Sequence, residues 1–227
     1  MTIALCLLTW NEIDGCKHDI PLLDQTKFDQ IYCIDAGSTD GTVEYLESFG
    51  ITVYKQNKRG INNACLEGVK YCFCDAFIFY HPKGTIPVKD IYKFRKYFEQ
   101  GYEFVVGSRM MKNAHNEEDD RFFKPRKAFV LGVGLLSAIL FKREGNYVGD
   151  VMHGFRGMTL KSFNDLAISD FDRSIDVEMV CRSYKFRTKR IEFPTCEKAR
   201  IGGETHFKAL DTGWQIIKYL LWEIKRK

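Results

Sequence analysis

Hydrophobic residues fall along this chain in short solid runs separated by polar turns that carry glycine. Residues 3–9 (Ile-Ala-Leu-Cys-Leu-Leu-Thr), 31–35, 51–54, 76–80 and 103–106 are four to seven residues long, too short for helices and bounded by turn signals. Runs of this kind read as strands buried on both faces. Between them the spacing predicts helices over 42–48, 62–71 and 88–99, the first closed by Gly50 and capped by Asp40 or a neighbouring hydroxyl. Alternation of strand and helix at this length predicts an α/β fold with a mainly parallel, Rossmann-like sheet covered by helices on both faces. Ligands of such sheets bind beyond the carboxyl ends of the strands.

From residue 108 the rhythm changes. Residues 112–121 form a polar loop with the acidic run Glu117-Glu118-Asp119-Asp120. An apolar helix over 126–141 follows, then a strand over 154–160, a helix over 174–184, a strand over 188–193 and a last helix from about 207. No internal repeat or low-complexity linker divides the chain. It reads as one domain over 1–227, with halves 1–107 and 108–227. The longest apolar run, 128–141, is short of the roughly 18 to 20 residues that cross a bilayer. In the last helix Trp214, Ile217, Leu221 and Ile224 recur at helical spacing beside Ile216, Leu220 and Trp222, ahead of Lys225-Arg226-Lys227. Such a helix suits the plane of an anionic membrane surface; packing onto the sheet and homodimer formation are the alternatives.

The chain has 227 residues, 45% hydrophobic, enough for one well-buried domain. Its formal charge of +4 is too mild to argue for nucleic acid, although residues 182–200 hold seven Lys or Arg against two Glu. Eight cysteines, several inside apolar runs, read as core residues of a reducing compartment. Cys72 and Cys74 have the wrong spacing for a zinc site. The N-terminus lacks a basic segment before its apolar run, so the expected location is cytoplasmic, with the cytoplasmic face of a membrane as the alternative.

Asp35 ends a strand and enters the turn Ala36-Gly37-Ser38-Thr39-Asp40-Gly41-Thr42, which brings its carboxylate to the sheet's carboxyl edge. Thr9-Trp10-Asn11-Glu12 supplies further polar groups at the same edge. Together they favour a nucleotide pocket; taken alone, the Asp35 segment is equally an Asx turn with a helix cap.

These segments, with Asn57-Lys58-Arg59-Gly60, Ala64, Gly68, Gly107-Ser108-Arg109, Asp150, Gly154-Phe155-Arg156, Glu178, Pro194, Arg200 and Gly203-Glu204-Thr205, resemble in order the motifs of family 2 glycosyltransferases. The order is similar to the dolichyl-phosphate mannose synthase type, which transfers sugars to polyprenyl phosphates. The resemblance implies a GT-A fold and inverting transfer from a UDP- or GDP-sugar, with a polyprenyl phosphate or another cell-envelope glycan as acceptor. It implies that Thr9, Asn11, Glu12 and Asp35 hold the nucleoside, with Arg59 and Gly60 nearby. Arg109 and Arg126 match arginines that meet the acceptor's phosphate, and Arg156 is grouped with them. Arg200 and residues 203–205 match a segment that closes over the diphosphate, with His206 where a lysine is usual. Asp150 and Glu178 are the family-matched carboxylates for a general base, should the acceptor be a hydroxyl; otherwise Asp150 orients the sugar or Arg156.

One departure stands out. The family expects Asp-x-Asp after the fourth strand to hold Mg2+ or Mn2+ against the leaving diphosphate. Here the segment is His81-Pro82-Lys83, so no metal ligand set is expected. Either activity is lost, leaving a nucleotide-sugar-binding or scaffolding protein, or the site works without metal, with Lys83 taking the catalytic charge role and His81 beside the donor.

Overall fold

The computed structural model describes residues 1–120, 122–171, 173–202 and 209–226. The expected segments 203–205 and His206, and the terminal Lys227, lie outside the described residues. Seven strands form one sheet: β1 (Ile3–Thr9), β2 (Gln30–Asp35), β3 (Thr52–Lys55), β4 (Ala76–Tyr80), β5 (Phe104–Ser108), β6 (Arg156–Thr159) and β7 (Arg190–Pro194). Their order is β3-β2-β1-β4-β6-β5-β7, and β6 runs antiparallel between β4 and β5 while every other pair is parallel. The expected mainly parallel α/β sheet is therefore present.

Eight helices of the described residues cover it: α1 (Ile13–Asp19), α2 (Thr42–Ser48), α3 (Ile61–Lys70), α4 (Lys93–Glu99), α5 (Pro125–Phe141), α6 (Leu160–Leu166), α7 (Ile175–Lys185) and α8 (Ala209–Lys225). Side chains alternate across the pleat. Leu5, Leu7, Cys33, Ile78 and Tyr80 face one layer with Cys16, Leu46, Phe94 and Phe98 of α1, α2 and α4. Cys6, Leu8, Ile34, Phe77 and Phe79 face the other, built from α3, α5, α6, α7 and α8. The cysteines are free, and all but the half-buried Cys196 are buried.

Where sequence and structure part, packing gives the reason. Residues 88–99 are not one helix but a 3-10 turn (Val88–Asp90) after Pro87, followed by α4. Helix α1, which contains a central glycine, is not among the expected elements. Gly15 is what lets it form there, because a Cβ at that position would stand 2.2 Å from the Pro82 carbonyl oxygen. Helix α6 also escaped the pattern, although Thr159 caps it by accepting from the Ser162 N–H at 3.3 Å.

The last helix is split lengthwise. Ile216, Tyr219, Leu220 and Glu223 are buried, whereas Trp214, Ile217, Leu221, Trp222 and Ile224 are exposed. Sheet packing and an outward apolar face are thus both present. Helix α5 does the same, with Val130, Val133 and Phe141 inside and Leu131, Leu135, Leu136 and Ile139 outside. The two helices meet where Phe129 lies over Gly213. No helix of the described residues is long and apolar enough to cross a membrane.

Candidate active site

The ends of β1 and β2 bring Thr9, Asn11, Glu12 and Asp35 together, as their sequence positions require. Asp35 is buried, and four donors fill its carboxylate. Oδ1 accepts from the Gly37 and Ser38 N–H groups at 2.8 and 2.7 Å; Oδ2 accepts from the Thr9 and Ser38 hydroxyls at 2.7 and 2.6 Å. Four such bonds use nearly all of a carboxylate's acceptor capacity. Asn11, at φ 53°, is held by the same turn: its N–H donates to Ser38 Oγ and its Oδ1 accepts from the Thr39 N–H. Asp40 accepts from the Thr42 N–H and hydroxyl, and also from the Ile13 N–H, tying the turn to the first residue of α1. A nucleobase N–H reaching Asp35 has to displace a hydroxyl. Arg59 is exposed and lies over the Trp10 ring at 5.1 Å, beside Gly60 at the start of α3.

The loop leaving β4 carries His81 and Lys83, both half-buried. It is pressed from two sides. Gly15 of α1 lies against Pro82 and Lys83, and Ile201 lies against Gly84, which takes φ 67°. The segment 198–202 is laced to this loop: the Lys198 N–H donates to the Thr85 carbonyl at 2.8 Å. Arg200 pairs with Glu12 and donates through Nε to the Gly202 carbonyl. Burial, followed by the Lys83 and His153 charges, pushes the His81 imidazole well below its usual pKa, so it stands neutral. Burial also lowers Lys83, a shift opposed by Glu12 and reinforced by Arg200.

In the second half, long-range ion pairs claim most of the expected residues. Asp150 is fully buried and bidentate to Arg109: Nε donates to Oδ2 at 2.8 Å and a terminal nitrogen donates to Oδ1 at 2.9 Å. Burial works against its ionisation, but the Arg109 charge outweighs that and holds the carboxyl well below the usual range. A carboxylate so placed is a poor proton acceptor, which corrects its expected role as a base. Arg109 also donates to Glu197 at 2.8 Å, so its charge is already balanced by two acids.

Arg156 is fully buried, donating to the His153 and Asp176 carbonyls and pairing with the Asp176 carboxylate at 3.2 Å. Its expected contact with an acceptor is therefore corrected: it fixes the backbone at His153 and Asp176. Glu178 is likewise buried, accepting from the Ser169 N–H and hydroxyl, the Ser174 hydroxyl and Arg226. It ties α7 to α8 and has no catalytic exposure. Arg126 is exposed at the start of α5, paired with Glu117 at 2.5 Å. Asp176, in the first turn of α7, went unremarked in the sequence. It is half-buried, and its charge reaches Lys83. Its position two residues before Glu178 was the available signal.

The donor groups around the β4 loop do not suit a divalent cation. A protonated Lys83 has no lone pair. His153 Nδ1 donates to the Gly107 carbonyl at 2.6 Å, and Asp150 is taken by Arg109. Among the described residues no three His, Cys, Asp or Glu side chains converge on a point that could hold a metal ion.

Comparison with known proteins agrees with this architecture. The family model described as glycosyl transferase family 2 matches residues 18–166. Glycosyltransferase AglJ of Haloferax volcanii is 26% identical over 208 residues, covering 88% of this chain. The chain spans 65% of that relative's length. Mannosyl-3-phosphoglycerate synthase from Rubrobacter xylanophilus superposes with a TM-score of 0.72 at 16% identity, over 100% of this chain and 74% of that one. Glucosyl-3-phosphoglycerate synthase from Mycobacterium tuberculosis, in complex with UDP, gives 0.69 at 15% identity, over 98% and 80%. At such identities the likeness concerns the fold, which is GT-A. With a family match over most of its length, laid on that sheet, the chain belongs to glycosyl transferase family 2.

Proposed function

We propose that this protein is an inverting glycosyltransferase that moves a sugar from a UDP- or GDP-sugar to a phosphate-bearing acceptor, a polyprenyl phosphate at a membrane surface. The observation that carries the acceptor class is the pairing of acids around the cleft. Glu12 is bound to Arg200, Asp150 and Glu197 to Arg109, and Asp176 to Arg156. A hydroxyl acceptor needs a base, and an arginine partner lowers the basicity of each of these four carboxylates. A phosphate is already anionic and attacks without one. The structural relative glucosyl-3-phosphoglycerate synthase, in complex with Mn2+, UDP-glucose and phosphoglyceric acid, supports the nucleotide-sugar donor and an acceptor that bears a phosphate, without assigning which of that acceptor's oxygens attacks.

Lipid attachment of the phosphate is supported by the outward faces of α5 and α8. Leu135, Ile139, Trp214 and Leu221 are each 58–70% exposed, an arrangement costly in water and favourable in an interface. Lys124, Arg126 and Lys127 stand at the entry of α5, and Lys225 and Arg226 at the end of α8. Lys225 suits anionic headgroups, whereas Lys124 and Lys127 share Asp119, Arg126 is paired with Glu117 and Arg226 with Glu178. In this reading Thr9, Asn11, Asp35 and Arg59 serve the nucleoside, and Arg109 and Arg126 the acceptor side.

The test is a panel of UDP- and GDP-sugars scored by thermal shift, followed by transfer assays with polyprenyl phosphate in anionic vesicles and with soluble phosphoglycerate. One nucleotide sugar should raise Tm, and its sugar should appear on the lipid. Transfer only to the soluble acid would remove the membrane from the proposal. Stabilisation without transfer to any acceptor would leave a binding protein.

A further inference from the structure

The cations of the candidate site are not equivalent. Arg109, Arg156 and Arg200 each have a carboxylate within ion-pair distance. The Lys83 carbonyl accepts from the Ile201 N–H, but its side chain has neither an ion pair nor a hydrogen bond among the described residues, though Glu12, Arg200, Glu197 and Asp176 are near enough to act on its charge. Arg59 also lacks an acidic partner, but it is exposed and spread over Trp10.

The backbone that carries Lys83 is held in place before any ligand arrives. A Cβ on Gly15 would stand 2.6 Å from its Cα, and one on Gly84 would stand 2.2 Å from Ile201 Cδ1. Its loop is thus gripped between α1 and the 198–202 segment, at the carboxyl end of β4 where the sheet places its ligands. A positive charge delivered from a fixed backbone to a site of developing negative charge stabilises a transition state at reduced cost in reorganisation.

We propose that Lys83 meets the diphosphate of the nucleotide sugar directly and performs the charge neutralisation that Mn2+ supplies in metal-bound relatives, so that donor binding and transfer proceed without metal. The inference rests on the donor reading above. In the step itself, an acceptor phosphate oxygen forms the bond to the anomeric carbon on the face opposite the leaving group. The bond from that carbon to the distal phosphate oxygen breaks and its electron pair stays on that oxygen. The nucleoside diphosphate leaves with one more negative charge, and no proton moves. An ammonium with three donors can follow that oxygen from ground state to product. A resident divalent cation next to Lys83 would be repelled by it, and the acids that could offset this are paired elsewhere.

Calorimetric titration of the full chain with UDP and with GDP, each in EDTA and in Mn2+, reads this directly, independent of turnover. One nucleotide should bind with the same affinity, within about twofold, in both conditions. Lys83→Ala and Lys83→Gln should each weaken it at least tenfold, and Lys83→Arg should retain most of it. Melting curves show that the variants are folded, and Lys83→Gln serves if the alanine variant is not. Wild-type binding that requires Mn2+, or wild-type affinity in both neutral variants, overturns the role of Lys83 while leaving the donor reading intact. Failure of the wild type to bind either nucleotide in either condition overturns the donor reading itself.

Discussion

Two sets of acidic side chains, one in each half of the sheet, are satisfied by different chemistry. In the first half Asp35, Asp40 and Glu67 accept from backbone N–H groups, hydroxyls and an amide, all within about ten residues except for Thr9 and Ile13. In the second, Asp150, Glu178 and Glu223 are buried and matched to Arg or Lys from distant positions. Glu12 joins the two schemes, since its partner Arg200 comes from the far end of the chain. Acids met by neutral donors shape a turn and keep a hydroxyl that a ligand can displace. Acids met by cations are committed to the fold, because separating them leaves a charge stranded out of water.

That contrast can be broken by truncating one acid from each half. Asp150→Ala leaves Arg109 with only Glu197 and should cost about 3–5 kcal/mol in urea unfolding, the loss typical of a buried pair deprived of one partner. The same pair sets an acid limb. The Asp150 carboxyl is held below its unfolded value of about 3.9, so its contribution is complete above that pH and falls away as pH drops toward the folded pKa. Stability measured below about pH 4 should therefore decline less steeply in Asp150→Asn than in the wild type.

Asp35→Ala should cost less, about 1–3 kcal/mol, since it strands neutral donors in one turn. It should also abolish nucleotide binding. A loss of stability with unchanged affinity would turn the first half into pure scaffold and erase the contrast. The smallest effects belong to the outer faces of α5 and α8. Deleting residues 214–227 is not a clean test, since Ile216, Tyr219 and Glu223 are core. Leu135→Ser with Leu221→Ser should release the chain from anionic vesicles while leaving its melting curve nearly unchanged. Reversing Lys225 should weaken vesicle binding by about 1 kcal/mol. Binding that survives all of these would remove the membrane reading.

Much of the fold was legible because it is written locally. Residues 3–9 and 76–80 are solid apolar runs and became β1 and β4 with the expected bounds, and 42–48 became α2. The turn after Asp35 was legible for the same reason, its partners being two and three residues away. The fates of Arg156 and Glu178 were not, since their partners Asp176 and Arg226 lie 20 and 48 residues on and nothing in the spacing pairs them. Helix α1 was hidden because its glycine, a poor helix former, is required by a contact with the β4 loop.

Seven thiols lie sealed in the two layers beside the sheet, and Cys196 alone is partly open among the described residues. Burial raises Cys33 and Cys181 to about 12 and Cys6 and Cys65 well above the ordinary thiol value, so these sulfurs are both shielded and protonated. Alkylating reagents need the thiolate, and here they must wait for the sheet to open. The molecule thus carries its own clock: one cysteine next to Glu197 takes up label at once, and the pace at which the other seven follow counts the openings of the native state.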